Sequence, residues 1–517
     1  MTYRRSFAVL CFAAAATLAA TGCPHKPAEP LSAAGHVTVM HTNDLHGHYL
    51  PERADWLPGT PEIGGFVRIE QEVRAVRAAR GKENTLLLDA GDILTGTPLT
   101  AMKEEGAWGT PMLRFMEALS YDGWAIGNHE FDRGLDNLGV LTAKAPFAAL
   151  SANLRVKGGK EPLLPSQAFS RVFTVNGVRI GLIGATTDAL KGLVSPKDWA
   201  RMEPTHAVDA VRAEVAALDP QTDILIALTH LGVDDDRKLA AAVPGIDLIV
   251  GGHSHTRLTE AVQVGTTYIV QTGSYGRSLG VLEFDAKDDA IADFHYELRD
   301  LLPDTAPVEP DPSLKGMADH YRTLIDQEYG EIVARAPSIL GKEYAKESPL
   351  GRWISDALRV EAKADIGIYN GGGLRSPIVA GDVAKRQIFE AFPFENAVIR
   401  FSMTGEQLVG VVLRDVGAEL DGKHGYLSLG GVTYTWHVTP GGAPEVVSLS
   451  VGGQPVDLSH VYTAASTSYI TEQWEKHLGF EPKDTAIVGM NDFEVAVAYA
   501  KARGLIDDGV ARSVRVE

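Results

Sequence analysis

Short apolar runs separated by longer amphipathic stretches fill the chain from residue 36 to about 300. The runs are "HVTVMH" (36–41), "NTLLLDA" (84–90), "GWAIG" (123–127), "VRIGLIGA" (178–185), "DILIALTH" (223–230) and "DLIVGGHS" (247–254). They are rich in Val, Ile and Leu with little alternation, which is the pattern of strands covered on both faces. Between the first two, "VRIEQEVRAVRAARG" (67–81) places its apolar residues at helical spacing and stops on glycine; "AVDAVRAEVAALD" (207–219) precedes the fifth in the same way. Strands alternating with helices predict an α/β region with a layered sheet core and helices outside. "TTYIVQTGSYGRSLGVLEFDA" (266–286) alternates more and reads as antiparallel.

The pattern then breaks. "LLPDTAPVEPDPS" (301–313) is rich in Pro and Asp and reads as a linker. "SLKGMADHYRTLIDQEYGEIVARA" (313–336) follows with helical spacing, ~36 Å long if unbroken at 1.5 Å per residue. A second, smaller α/β region runs to the end, with a helix over 349–364 and strands at "DIGIYN" (365–370), "GVTYTWHV" and "HVYTAAS". A length of 517 residues calls for more than one domain. The divisions expected are 36–300 for the first domain, 301–340 for linker and helix, and 341–517 for the second.

The N-terminus reads as a targeting segment. Arg4 and Arg5 precede "SFAVLCFAAAATLAA", and "ATGC" ends at Cys23. The run is short for a membrane span, and its layout is that of a secretory signal, residues 1–22. The end resembles a bacterial lipobox, with Ala20 where Leu is commoner, and this implies cleavage before Cys23 and a lipid on it. Residues 23–35 then form a lipidated tether, and the chain lies outside the cytoplasm on a membrane anchor. The two cysteines are Cys11 and Cys23, so the processed chain has no disulfide to lean on.

Composition adds little except through charge. Hydrophobic residues make up 45% and charged residues 22%, as in folded proteins generally. The net charge of −19 argues against a partner such as a nucleic acid polymer, whose backbone needs a basic face. A phosphate-bearing substrate would need positive charge from elsewhere, and bound cations supply it.

Ligand-type side chains gather where the apolar runs end. "HTNDLHG" offers Asp44 and His46, "DAGDIL" offers Asp92, and "GNHEFD" offers Asn128, His129, Glu130 and Asp132. "THLG" offers His230, and "GGHSH" offers His253 and His255. Sites in α/β sheets form beyond the carboxyl ends of strands. A D-x-H pair or a lone histidine means little; five such segments in one domain predict a common site. Carboxylate, amide and imidazole donors without thiolate suit Zn, Mn, Fe or Co. A pair of such cations clamps attacking and leaving oxygens in a phosphoryl transfer.

The set of "VMHTNDLHG", "AGDILTGT", "GNHEFD", "THLG" and "GGHSH" resembles the secreted 5′-nucleotidase and UDP-sugar hydrolase family. That family joins a calcineurin-like metallophosphoesterase domain to a C-terminal 5′-nucleotidase domain. The resemblance implies two divalent metal ions, with Asp44, His46 and His255 on one, Asn128, His230 and His253 on the other, and Asp92 between them. It implies that metal-bound hydroxide attacks phosphorus in line. His129 would act on the phosphoryl group or protonate the leaving oxygen, and Asp132 would orient it. Glu130 receives no direct catalytic role, and His41 is taken as structural. In the second domain, "YNGGGLRSPI" (369–378) places Asn370 and Arg375 on the substrate. "AFPFENAV" (391–398) places Phe394 and Asn396 there, and "STSYITEQWEKHLGF" (466–480) adds Tyr469 as a second aromatic; Phe392 reads as core. The resemblance also implies a hinge within 301–340.

Two departures bear on the leaving group. The family's G-G-D-G turn after the second aromatic is replaced by "EQWEKHLG", with Glu475 at the spacing of the missing Asp. Before the helix near 349, where the family usually has arginine, this chain offers Lys342 and Lys346. The expected function is hydrolysis of extracytoplasmic nucleotides to release phosphate. Alternatives are a 2′,3′-cyclic nucleotide, a UDP-sugar, a sugar phosphate or a sulfur ester, and, from another class, a binding lipoprotein without catalysis. Oligomeric state is not legible.

Overall fold

The structure, a computed structural model, describes residues 35–422, 425–507 and 509–516. The signal segment, Cys23 and all but the last residue of the tether lie outside the described residues. Gly35, the last tether position, already belongs to a strand. Among the described residues no helix is long and apolar enough to cross a membrane.

The first half is a sandwich of two sheets. One has seven strands in the order Ile291–Asp300, Ser278–Ala286, Gly35–Thr42, Thr85–Asp89, Gly123–Ala125, Ala148–Leu150, Gln167–Ala168. Its pairs from Gly35 to Ala168 are parallel, and the 278–286 and 291–300 strands close the edge antiparallel. The other runs Ser170–Val175, Val178–Thr186, Ile224–His230, Leu248–Gly251, Thr267–Val270, Val262–Val264. Val37, Val39, Leu86 and Leu88 meet Ile180, Leu182, Ile226 and Leu228 between the sheets, which is why these runs scarcely alternate. The helices Phe66–Arg80 and Leu135–Lys144 cover the outer face of the seven-stranded sheet, and Ala207–Leu218 and Val233–Ala242 cover the other.

Two readings need correction. The 266–286 stretch is not uniformly antiparallel: Thr267–Val270 pairs parallel with Leu248–Val250, while Ser278–Ala286 is antiparallel on both sides. The long helix is also shorter than its periodicity suggested. It spans Pro312–Tyr329 (18 residues), ~27 Å, and stops at Gly330, whose N–H bonds Asp326 O. The β-branched "IVARA" that follows is a strand, Ile332–Ala336, paired with Gly381–Ala384 in the second half. Asp311 caps the helix through Ser313 N and Leu314 N, and Pro312 occupies its first turn. Leu314, Ala318, Tyr321 and Ile325 form one stripe buried in the core of the first half. The helix is therefore packed onto the sandwich rather than suspended between the halves.

The second half has a five-stranded mixed sheet in the order Leu427–Gly430, Ile366–Asn370, Val461–Thr467, Ala397–Thr404, Lys483–Asn491. Pro349–Glu361 and Asp492–Arg503 pack one face and Gly405–Asp421 the other. The helix Pro349–Glu361 lies so close to the sheet that a Cβ on Gly367 would sit 1.8 Å from Ser355 O, so only glycine fits there.

Candidate active site

The loops at the carboxyl ends of the first-half strands are laced together by their backbones. Asp44 N bonds Gly91 O (2.9 Å), His46 N bonds Asp92 O (2.9 Å) and Gly47 N bonds Ile93 O (3.0 Å). Asp44, His46, Asp92, His253 and His255 all sit in left-handed backbone, with φ of 51°, 47°, 56°, 76° and 52°. Side chains other than glycine adopt that region at about 1 kcal/mol each, and such strain collects at functional sites. Gly252 allows the 253–255 loop to approach: a Cβ there would lie 2.6 Å from Ala90 O and 3.0 Å from His230 Nδ1.

Two groups of donors result, Asp44–His46–His255 and Asp92–His230–His253, each with its donor atoms within 4.8 Å of one another. In the first, His46 Nε2 and His255 Nε2 point at one another 3.1 Å apart, and His255 Nε2 lies 3.3 Å from Asp44 Oδ1. His46 Nδ1 is engaged by the carbonyls of Leu94 (3.1 Å) and Thr95 (2.8 Å), which leaves the Nε2 lone pair free. Asn43 donates to Asp44 Oδ2 (2.7 Å) and fixes its carboxylate. In the second group His230 Nδ1 donates to Ala90 O (2.7 Å), and its Nε2 lies 3.0 Å from Asp92 Oδ2. That oxygen is off the ring N–H direction, so Nε2 is buried without a hydrogen-bond partner, as is Asn128 Oδ1. Asp92 Oδ2 is also 3.9 Å from His46 Nε2, so the carboxylate faces both groups.

The electrostatics ask for positive charge here. Burial lowers His46 well below its usual range, with Arg375 and His255 adding to the effect, and burial lowers His253 to about 4. Both are neutral donors at physiological pH. Burial also disfavours the cation at His230, but Asp92 outweighs it and raises the imidazole to about 10. Burial disfavours ionisation at Asp92, yet His230 and His129 hold its carboxyl well below the usual range. Convergent oxygen and nitrogen donors, two of them orphaned, fit two divalent cations.

His129 stands beside these donors without joining either group. Its N–H donates to Asp92 Oδ1 (2.8 Å), its Nδ1 meets Asp132 Oδ2 (2.6 Å), and its ring lies 5.7 Å from that of Phe394. Glu130, left without a role by the sequence, ties the loops together. Its fully buried carboxylate accepts from Gly127 N (2.7 Å), Asp92 N (3.0 Å), Ile93 N (2.9 Å) and Leu94 N (3.3 Å). Glu130→Gln would turn an NH₂ group onto two of those donors. The expected cost is about 3 kcal/mol, read as a lower urea midpoint at unchanged slope.

A cavity of about 620 Å³ opens over the donors and is walled by both halves. Asp92, Asn128, His129, Asp132, His253 and His255 line it from the first half, and Asn370, Arg375, Phe394, Asn396 and Tyr469 from the second. The structure thus brings all five substrate candidates to the metal-ligand candidates. Arg375 Nη2 reaches to 3.5 Å from His46 Nε2. Its turn is held by Gly371 N to Tyr426 O (2.7 Å) and Arg375 N to Ala391 O (3.0 Å). Phe392 is fully buried against Trp353 and Tyr369, as core. His41 is also fully buried, with both ring nitrogens unpartnered and its pKa lowered by burial to about 3.

Glu475 does not take the place of the missing aspartate. It is exposed on the short helix Trp474–His477, and the cavity is lined instead by Glu472, Gln473, Lys476 and His477. Of the two lysines, Lys346 pairs with Glu343 (3.6 Å). Partial burial and the Arg375 guanidinium lower Lys342, which places it in the field of the site. Sequence reasoning missed Tyr344, between them, which lines the cavity beside Asn370 and Gly372. It also missed the first-half loop of Leu193, Val194 and Ser195. An aromatic flanked by two lysines was the available signal for the former; the latter carries no motif.

Comparison with known proteins agrees with this arrangement. Residues 37–257 match the family model of calcineurin-like phosphoesterases, and residues 332–480 that of the 5′-nucleotidase C-terminal domain. The chain is 28% identical over 514 residues to a 5′-nucleotidase of Vibrio vulnificus, covering 88% of each. It is 25% identical over 495 residues to Endonuclease YhcR of Bacillus subtilis, covering 90% of this chain but 39% of that protein. The crystal structure of a 5′-nucleotidase precursor from Thermus thermophilus superposes with a TM-score of 0.81 at 27% identity, over 93% of this chain and 99% of that one.

Proposed function

The chain belongs to the calcineurin-like phosphoesterases that carry a C-terminal 5′-nucleotidase domain, and from that premise we propose that it hydrolyses nucleoside monophosphates outside the cytoplasm. The observation that carries the reading is the pairing of two orphaned donors, Asn128 Oδ1 and His230 Nε2, with an arginine across the same cavity. Asp44, His46 and His255 would hold one cation and Asn128, His230 and His253 the other, with the Asp92 carboxylate facing both groups of donors. When bound, such a pair supplies positive charge to the phosphoryl oxygens and acidifies water. Arg375 clamps the terminal phosphate, bidentately where geometry allows. Phe394 and Tyr469 flank the leaving group, and Asn370 and Asn396 offer it hydrogen bonds. Asp132 accepts from His129 Nδ1–H, which aims Nε2 at the site and stabilises the imidazolium whose Nε2 proton would go to the leaving oxygen. The lipid on Cys23 would hold the enzyme to a membrane. The point of flexure would be Gly330–Glu331, between the docked helix and the first strand of the second half.

The test is metal analysis of purified protein combined with a panel of phosphoesters assayed with Mn or Zn. Two metal equivalents and phosphate release from a nucleoside monophosphate are expected, with the activity lost on chelation and restored by metal. Because cations bind the folded state, saturating metal at about a hundredfold over Kd should add about 2.7 kcal/mol of stability per site. No release from any ester, with metal loaded, rejects the enzymatic reading in favour of a binding protein.

A further inference from the structure

One ion pair joins the two halves beside the site. Glu395 stands between Phe394 and Asn396, and its Oε2 accepts from Arg133 Nη2 (2.5 Å). Arg133 directly follows Asp132, which meets His129 Nδ1 (2.6 Å). Both ends are anchored by backbone. Asp132 N bonds His129 O (3.3 Å) and Gly134 N bonds Phe131 O (2.7 Å) around the arginine, and Asp492 N bonds Asn396 O (2.9 Å) beside the glutamate. The two side chains are 20% and 25% exposed, and among the described residues neither has a second ion-pair partner. Glu395 also sits in left-handed backbone, with φ of 52°. Glycine takes that region without a Cβ penalty, whereas strain in a longer residue persists only where its surroundings hold it. The Phe394 ring that precedes it lies 5.7 Å from the His129 ring and 5.9 Å from the Arg375 guanidinium carbon.

We infer that Arg133 and Glu395 are positioning residues of the hydrolysis: their ion pair ties the turn bearing Phe394 and Asn396 to the loop bearing His129 and Asp132. The tie sets the ring that receives the leaving group against the imidazole that serves the leaving oxygen. Two charges taken mostly out of water gain little net stability by pairing, because lost hydration offsets their attraction. What such a pair does supply is register between the surfaces it joins. The halves do not depend on it for contact, since Tyr469 Oη also bonds Gly192 O (3.0 Å) and Gln473 Nε2 bonds Val194 O (2.9 Å). Breaking the pair therefore frees the 394–396 turn while the rest of the cavity stays assembled. The inference rests on the phosphohydrolase reading and adds two residues to it.

The experiment measures kcat and KM for AMP and for glycerol phosphate, which has no ring for Phe394, in the metal-loaded wild type, Arg133→Met, Glu395→Gly and the double variant. Each single variant is expected to raise KM for AMP about tenfold with kcat within about twofold, and to change kcat/KM for glycerol phosphate by about twofold or less. The double variant should lose no more than either single one, because one pair can be broken only once. Glu395→Gly removes the left-handed strain, so its urea midpoint should not fall. Glu395→Gln, which keeps the shape of the side chain, should follow it in KM. An unchanged KM for AMP in the single variants, an equal loss on both esters, or losses that multiply to about a hundredfold in the double variant overturns the positioning role alone. A metal-loaded wild type inactive on AMP removes the nucleotidase reading and the inference with it.

Discussion

Asp92→Asn is expected to reduce bound metal from two equivalents to one or fewer and phosphate release by about a thousandfold or more, ~4 kcal/mol in the barrier. The substitution keeps the shape of the side chain and changes only its charge and one donor face. Asp92 Oδ2 lies 3.0 Å from His230 Nε2 and 3.9 Å from His46 Nε2, so it serves both donor groups at once. An amide nitrogen there would point N–H groups at two lone pairs meant for cations. Asp92 N donates to Glu130 Oε2 and His46 N donates to Asp92 O, neither through a changed atom, so the fold should persist. Elemental analysis and ester hydrolysis on the same preparation decide it. Two equivalents retained with activity within tenfold of wild type would show that Asp92 does not bridge.

The strands of the first sandwich were legible because burial on both faces writes itself as continuous Val, Ile and Leu. Legibility failed where pairing is long-range. Thr267–Val270 is parallel to one neighbour and antiparallel to the other, and alternation alone does not distinguish those partners. The helix ending at Tyr329 was overread because "EIVARA" keeps helical spacing, while its pairing with Gly381–Ala384 is invisible locally. The metal-ligand candidates were legible because oxygen and nitrogen donors followed strand after strand. Their left-handed backbone was not, since it lies in loops whose bonds run across the site. Glu130 shows the same limit: four N–H groups from two loops converge on it, and its sequence neighbours supply only one of them. The leaving-group wall was least legible, because half of it is the loop near Val194, which carries no chemistry of its own.

The net charge of −19 and an anionic substrate are reconciled locally rather than across the surface. Arg375 is the one arginine lining the cavity among the described residues, and Lys342 stands in its field. Lys197 and Lys476 line the cavity as well, and cations held by Asp44, Asp92 and the histidines add positive charge beside the phosphate, so binding of the phosphate and binding of metal are coupled.

His129→Ala separates holding metal from using it. The imidazole belongs to neither donor group, its ring faces Phe394 across the cavity, and its Nε2 lies 4.0 Å from Asp92 Oδ2. Removing it leaves its own N–H on Asp92 Oδ1, since that bond is made by backbone. Metal content should therefore stay at two equivalents while kcat on a nucleoside monophosphate falls by about 10²–10⁴, with KM little changed. The size of the loss should depend on the leaving group. If Nε2 delivers a proton to the departing oxygen, a nitrophenyl ester, whose leaving group departs as a stable anion, should lose about tenfold or less in the same variant. An equal loss on both esters would assign His129 to charge stabilisation instead. Asp132→Asn should reproduce the effect in weaker form, because the 2.6 Å contact to Nδ1–H orients the ring and the carboxylate stabilises the imidazolium that gives up the Nε2 proton. Loss of metal together with activity in His129→Ala would instead make the imidazole a ligand.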